Sequence, residues 1–279
     1  MEVDRSSILK TIFLSIVVII LVVFLQASDK RTKIVFCDVG QGDAAYIRVK
    51  NRVDVLIDAG PGRKVVSCLG KHMPFYDRKI ELVILSHPQK DHYGGLSDIL
   101  SRYQIGKVAT YNINSSQSSF LQLLKNIKQR KIDLIIVKAG STIGILGTKL
   151  EFFWPMETLI PLDENSLSLV FLFQEDRFSS LFTSDASALS LNLTISRSAK
   201  SQLVKLKNVN ILKVPHHGSK NGLTIEFLRL VNPQVGVISA GKNNPHGHPA
   251  KEILEMLSKF NIKVRRTDKE GDIVYKIQN

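Results

Sequence analysis

Apolar positions along this chain fall into two kinds of run. Residues 11–28 carry no charge, and residues 11–25 are almost wholly apolar. An uncharged run of about 18 residues is near the minimum for a helix that crosses a bilayer. Beyond it the apolar runs shorten to strand length, bounded by turn-formers. Residues 33–39, 44–50 and 53–58 predict an antiparallel meander, interrupted by Gly40-Gln41-Gly42-Asp43 and Asn51-Arg52. A helix is expected over about 63–72, then a buried strand at 82–85. Further strands are expected at 107–111, 134–137, 148–154, 167–174, 178–183, 211–214 and 236–240, with two more near 262–266 and 272–277. Helical stretches at 96–103, 120–129, from about 187, and 250–260 alternate with them. This alternation predicts an α/β protein of layered α+β type. Residues 1–28 form a membrane anchor or signal segment, and residues 29–279 form the folded domain.

The strand ends carry the chemistry. The apolar run closing at Leu85 leads into His87-Pro88-Gln89-Lys90-Asp91-His92, three potential metal ligands within six residues. Imidazole with carboxylate suits zinc, manganese or iron, whereas calcium and magnesium prefer all-oxygen sites. Phe182 is followed by Thr183-Ser184-Asp185, Val214 by Pro215-His216-His217-Gly218-Ser219, and Ala240 by a loop containing His246 and His248. Each pattern alone has an ordinary explanation: Asp185 could cap the helix that begins near Ser187, and Asp58 could form a turn with its own backbone. Four strand ends that each deliver His or Asp are better explained by one metal site, because loops at one edge of such sheets gather together.

Composition sharpens this picture. The ordinary apolar and charged fractions exclude a disordered chain. The formal charge is +13, and Arg5 and Lys10 cancel Glu2 and Asp4, so the excess lies in residues 29–279. A surface of that sign concentrates polyanions such as nucleic acid, anionic lipid or teichoic-acid-like polymer; the plainer alternative is charge that serves solubility alone. Cys37 and Cys68 show no CxxC spacing and read as two buried free thiols, with a disulfide conceivable only in an oxidising compartment. The N-terminal run has the layout of a signal peptide, but Leu25-Gln26-Ala27-Ser28 fits a cleavage site poorly, which favours an uncleaved anchor. The domain is then expected outside the cytoplasm, membrane-anchored, or secreted if the segment is cleaved.

Taken together, Asp38-Val39-Gly40-Gln41-Gly42-Asp43-Ala44, Asp58-Ala59-Gly60, His87-x-x-x-Asp91-His92-x-Gly94-Gly95, Thr183-Ser184-Asp185, Pro215-His216-His217-Gly218-Ser219 and Gly247-His248-Pro249 resemble the metallo-β-lactamase fold superfamily. More narrowly they resemble the hydrolase domain of ComEC-type DNA-uptake competence proteins and their stand-alone relatives. The resemblance implies an αββα sandwich preceded by one N-terminal helix, with one or two divalent ions, zinc or manganese, held at one edge. By motif, His87 serves one ion, Asp91 and His92 the other, and Asp185 bridges them. His216 is the expected ligand of the histidine pair, with His217 positioning it or touching substrate, and His248 is the last family histidine. Asp58 is expected to orient a ligating histidine; Gln89, Lys90 and Ser219 are expected around the ions or against substrate. Asp91 or Asp185 would orient the attacking water.

Gln89 departs from the family pattern, in which histidine or aspartate is usual, and it weakens the His87 side; Lys90 adds positive charge beside it. The resulting expectation is a metal-dependent phosphodiesterase, most readily a nuclease acting on DNA at the cell surface. The alternatives are a hydrolase of another ester, such as phosphocholine or a cell-wall phosphodiester, and a catalytically weak protein that only captures DNA.

Overall fold

The computed structural model describes residues 4–111, 115, 117–156 and 165–277. Ten helices are described: α1 (Arg5–Ser28), α2 (Lys64–His72), α3 (Lys90–Tyr93), α4 (Leu96–Leu100), α5 (Ser118–Gln129), α6 (Ala188–Arg197), α7 (Lys200–Lys205), α8 (Ile225–Val231), α9 (Lys251–Lys259) and α10 (Thr267–Glu270). Among the described residues, fourteen strands form two seven-stranded sheets. The first contains β1 (Lys33–Phe36), β2 (Ala45–Val49), β3 (Val53–Ile57), β4 (Lys79–Leu85), β5 (Gln104–Thr110), β6 (Asp133–Ile136) and, across its edge, β14 (Ile273–Lys276). The second contains β7 (Thr142–Ile145), β8 (Thr148–Trp154), β9 (Val170–Glu175), β10 (Phe178–Phe182), β11 (Ile211–Lys213), β12 (Val235–Ile238) and β13 (Lys263–Arg266). Their orders are β14-β1-β2-β3-β4-β5-β6 and β13-β12-β11-β10-β9-β8-β7.

Each sheet changes character halfway across. Strands β14, β1, β2 and β3 pair antiparallel, as the meander predicted, while β3, β4, β5 and β6 run parallel. The second sheet is parallel from β10 to β13 and antiparallel from β10 to β7.

Side-chain alternation along the strands builds the layers, because successive residues point to opposite faces. Ile34 and Phe36 turn toward the second sheet, with Ile47, Ile57 and Ile84, and meet Phe152, Phe171, Phe173 and Phe182. Phe171 and Phe182 stack at 5.1 Å, and Phe36 lies 5.8 Å from Phe182. Full burial of such a side chain contributes about 1.5–3 kcal/mol relative to exposure. The intervening Val35, Tyr46, Leu56 and Val83 point outward and are covered by Val65 and Leu69 of α2, Ile99 of α4 and Leu123 of α5. On the far side, Val170 and Leu172 are covered by Leu191 of α6, Phe227 of α8 and Leu257 of α9. The architecture is the expected αββα sandwich.

Three local expectations change. Cys37 and Cys68 are joined by a disulfide that ties the end of β1 to α2 across a Cα separation of 5.9 Å, so they are not free thiols. Strand β7 is an additional edge strand whose half-exposed Thr-Ile-Gly-Ile carries too little apolar pattern to register in the sequence. The cap of α6 is Ser187, whose side chain accepts a hydrogen bond from the Ser190 amide, which leaves Asp185 free of that duty.

Candidate metal centre

The parallel halves of the two sheets end at a common edge, and the site is built from the loops that leave it. Four residues there take left-handed backbone conformations: Asp58 (φ 56°) after β3, Ser184 (φ 45°) after β10, and His216 and His217 (φ 50° and 53°) after β11. Such conformations turn the chain sharply as it leaves a strand. Cross-links then hold the loops together. The His216 amide donates to the Ser184 carbonyl (2.9 Å), the Asp58 amide to Ile84 (2.8 Å) and the Asp43 amide to Asp91 (3.2 Å). Gly42 makes that last approach possible, since a Cβ there would lie 2.3 Å from the Asp91 carbonyl oxygen.

Asp91, His92, Asp185 and His217 each offer a ligating atom, and these atoms lie within 4.8 Å of one another. His92 Nε2 stands 3.3 Å from Asp185 Oδ1 and 3.9 Å from an Asp91 oxygen. His217 Nε2 stands 3.3 Å from Asp91 Oδ2 and 3.5 Å from Asp185 Oδ2. The two Asp185 oxygens thus face different histidines. The histidine tautomers are fixed from behind. His92 Nδ1 lies 2.8 Å from Asp58 Oδ2, and His217 Nδ1 lies 3.0 Å from the Ser239 carbonyl, so both rings donate through Nδ1 and turn Nε2 toward the cluster.

The donor set fits a divalent cation. His92 Nε2, His217 Nε2, His87 Nε2 and Asp185 Oδ1 are all buried without a well-formed hydrogen bond among the described residues. Three of these, His92 Nε2, His217 Nε2 and Asp185 Oδ1, belong to the one cluster, where they would be costly unless a cation satisfies them. Two imidazoles and two carboxylates match zinc or manganese better than calcium. Electrostatics agree. Burial opposes ionisation of Asp185, but His217 and His92 outweigh it and hold this carboxyl well below the usual range. Burial likewise opposes protonation of His217, yet Asp185 and Asp43 raise it to about 10. Against the same burial, Asp185 and Asp58 raise His92 well above its ordinary value. A divalent cation would displace those protons, since a ligating imidazole is neutral.

The remaining expected residues lie around this cluster. Asp58 is buried and accepts from His92 and from the Ser86 amide and hydroxyl; burial raises its pKa, with His92 pulling the other way. His87 is fully buried against His92, its ring centroid 4.1 Å away, and burial lowers it to about 3, with the His92 charge adding to the effect. His216, the expected member of the pair, is 3.8 Å from Asp185 and about a quarter exposed, so the geometry draws His217 into the cluster instead. His248 stands farther out, 6.0 Å from His216 and 6.4 Å from His217 between ring centroids, and His246 lies beyond it. Gln89 points to Asn165, Lys90 is exposed at the rim, and Ser219 is buried beneath the histidine loop. Six of the seven histidines therefore gather at this edge; His72 is the exception and pairs with Asp272.

Sequence reasoning missed Asp43 and Lys213. Both are buried, and they pair at 2.8 Å beneath His217, whose Nδ1 lies 3.3 Å from Asp43 Oδ1. Burial works to raise the Asp43 carboxyl, but Lys213 and His217 keep it well below the ordinary range. The only available signal was the acidic residue in Gly40-Gln41-Gly42-Asp43. Nothing in the sequence linked it to a lysine inside a strand.

Residues 37–242 match the model of the metallo-beta-lactamase superfamily. ComE operon protein 3 of Bacillus subtilis (strain 168) is 28% identical over 262 residues, covering 87% of this chain and 32% of that protein. Competence protein ComA of Neisseria gonorrhoeae is 24% identical over 255 residues, covering 88% of this chain and 32% of that one. The chain spans about a third of the length of these relatives. Among solved structures, the metallo-beta-lactamase fold protein YhfI from Bacillus subtilis superposes with a TM-score of 0.58 at 13% identity, over 89% of this chain and all of that one. The chain belongs to the metallo-β-lactamase superfamily, a superfamily of metal-dependent hydrolases in the main.

Proposed function

We propose that this metallo-β-lactamase superfamily chain is a phosphodiesterase that cleaves DNA, using zinc or manganese held by Asp91, His92, Asp185 and His217. The carrying observation is the buried set of orphaned ligand atoms on a chain of formal charge +13. Lys90 at the start of α3, and Lys220 and Lys242 on two of the loops that frame the site, are exposed. They suit the phosphates that flank a scissile bond. The competence-type relatives favour DNA as the polyanion.

A divalent ion in this cage would lower the pKa of a water and polarise a phosphoryl oxygen. The chain supplies the rest. Asp185 is buried and held between His92 and His217, so it is a fixed anchor. Asp91 is about a third exposed. Burial works to raise its pKa, but the hydrogen bond from His217 overrides this and keeps it ionised. It is the carboxylate able to orient an attacking water and accept its proton. His216, His246 and His248 line the approach from solvent and contact the substrate backbone.

Helix α1 supports the reading that this activity belongs at a membrane surface. Its Arg5–Val22 window has a mean hydropathy of 2.1, and none of it is buried in the protein. The Cys37–Cys68 disulfide favours an oxidising, extracytoplasmic compartment for the domain.

The test is release of nucleotides from single- and double-stranded DNA by the full chain in detergent, with manganese or zinc supplied. Metal-dependent cleavage by the native protein and its loss in Asp91→Ala are expected. Intact DNA alongside turnover of a chromogenic phosphodiester would reassign the substrate to a non-nucleic ester. Salt-sensitive DNA binding without any turnover would leave only a capture protein.

A further inference from the structure

The two sides of the site are unequally equipped. On one side Asp91, His92, Asp185 and His217 converge. On the other, His87 stands outside that convergence. Its Nδ1 is 3.0 Å from Ser86 Oγ. The Ser86 hydroxyl donates to Asp58 Oδ2 (2.7 Å) and accepts from Ser184 Oγ (2.6 Å). Ser86 therefore has only an acceptor position left for His87, which must donate through Nδ1. The His87 Nε2 lone pair is then turned inward, buried and without a well-formed hydrogen bond among the described residues.

That lone pair is poorly supported as the start of a second ion site. The nearest side chain in sequence that could join it is Gln89, and the Gln89 amide nitrogen donates to Asn165 Oδ1 at 2.7 Å. That bond fixes the Gln89 carboxamide so that its neutral oxygen faces His87, and neither carboxamide contributes charge. A second ion would find one imidazole of its own and a share of Asp185, which already serves the first. Two dications would bring four positive charges against the two carboxylates of the cluster, with Lys90 next to Gln89 opposing them further. Asp58 cannot help, since it is engaged by His92 and Ser86.

We infer that this protein keeps one resident metal ion, at Asp91, His92, Asp185 and His217, and that the Gln89–Asn165 amide pair leaves the His87 side without a resident second ion. The inference rests on the hydrolase reading above and departs from the two-ion arrangement that the family pattern allows. It assigns Gln89 and Asn165 the role of setting metal stoichiometry.

The experiment measures zinc or manganese bound per chain. Full-length protein in detergent is stripped with chelator, reloaded with excess metal, exchanged into metal-free buffer and analysed by elemental mass spectrometry, with a calorimetric titration in parallel. One retained equivalent is expected, with any second phase at least about a hundredfold weaker. His87→Ala keeps the retained ion, whereas Asp91→Ala loses it. Gln89→Asp, and independently Asn165→Asp, strengthens the second phase at least about tenfold, the scale on which residues around a metal tune affinity. Circular dichroism confirms that each variant folds. Two retained equivalents in the native protein, loss of the ion in His87→Ala, or an unmoved second phase in both aspartate variants would overturn the inference while leaving the hydrolase reading standing. No retained ion in folded native protein would overturn both.

Discussion

Asp58, Ser184, His216 and His217 adopt a backbone conformation that costs roughly 1–2 kcal/mol per residue for a side chain other than glycine. The cost is met by the cross-links between loops, such as the His216 amide on the Ser184 carbonyl. The direction of each side chain follows from that turn. This is why His217, and not its neighbour, has its ring backed by the Ser239 carbonyl and faces Asp91 and Asp185. Asp43, held by Lys213, approaches the same Nδ1 edge of that ring. Removing one member of a buried ion pair strands the other, at about 3–5 kcal/mol. Asp43→Ala is therefore expected to destabilise the protein on that scale and to weaken metal retention by freeing His217. Chemical denaturation measures the first effect and chelator competition the second. Adding Lys213→Met should recover much of the stability but not the metal affinity. Unchanged stability in the single variant would show that the pair is not closed in solution.

At the scale of elements, the C-terminal strand is as important to the site's scaffold as the loops themselves. Strand β14 pairs with β1, and Asp272 just before it accepts from the Asp38 amide (2.9 Å) while facing Lys71 and His72 at the end of α2. Burial alone would raise the Asp272 carboxyl, but the Asp38 amide, His72 and Lys71 prevail and lower its pKa from 3.8. A depressed carboxyl contributes stability above its unfolded value and loses it as the pH falls through the folded value. Stability should accordingly decline on acidification below about pH 3.8, more steeply in the native protein than in Asp272→Asn. Melting temperatures of the two proteins across that range decide the matter, and parallel curves would remove Asp272 from the account. The strands and helices that pack on two faces were legible from their apolar runs. Those on the margin were not: β7 is a half-exposed edge, and α8, with only Phe227, Leu228 and Val231 buried, is too short to establish a period.

Across the whole molecule, an apolar N-terminal helix, a strongly basic domain and a buried cluster of metal-type ligands are the three features that support the proposed surface-acting hydrolase. The ligand types were visible in the sequence because each follows a buried strand, so the hexapeptide and Asp185 could be placed together before any coordinates. Three features were not visible, for related reasons. The choice between His216 and His217 depends on backbone turns that residue identity does not encode. Asn165 meets Gln89 from 76 positions away. The pairing of Cys37 with Cys68 depends on α2 folding back over β1. Long-range contact made each of these, and local pattern carries no record of it. The central claim is that His217, with Asp91, His92 and Asp185, holds the resident ion. It is tested most directly by metal content per chain after loading and buffer exchange, in His217→Ala beside His216→Ala. The structure predicts that His217→Ala loses the ion and His216→Ala retains it; an ion lost from His216→Ala and kept by His217→Ala would contradict it.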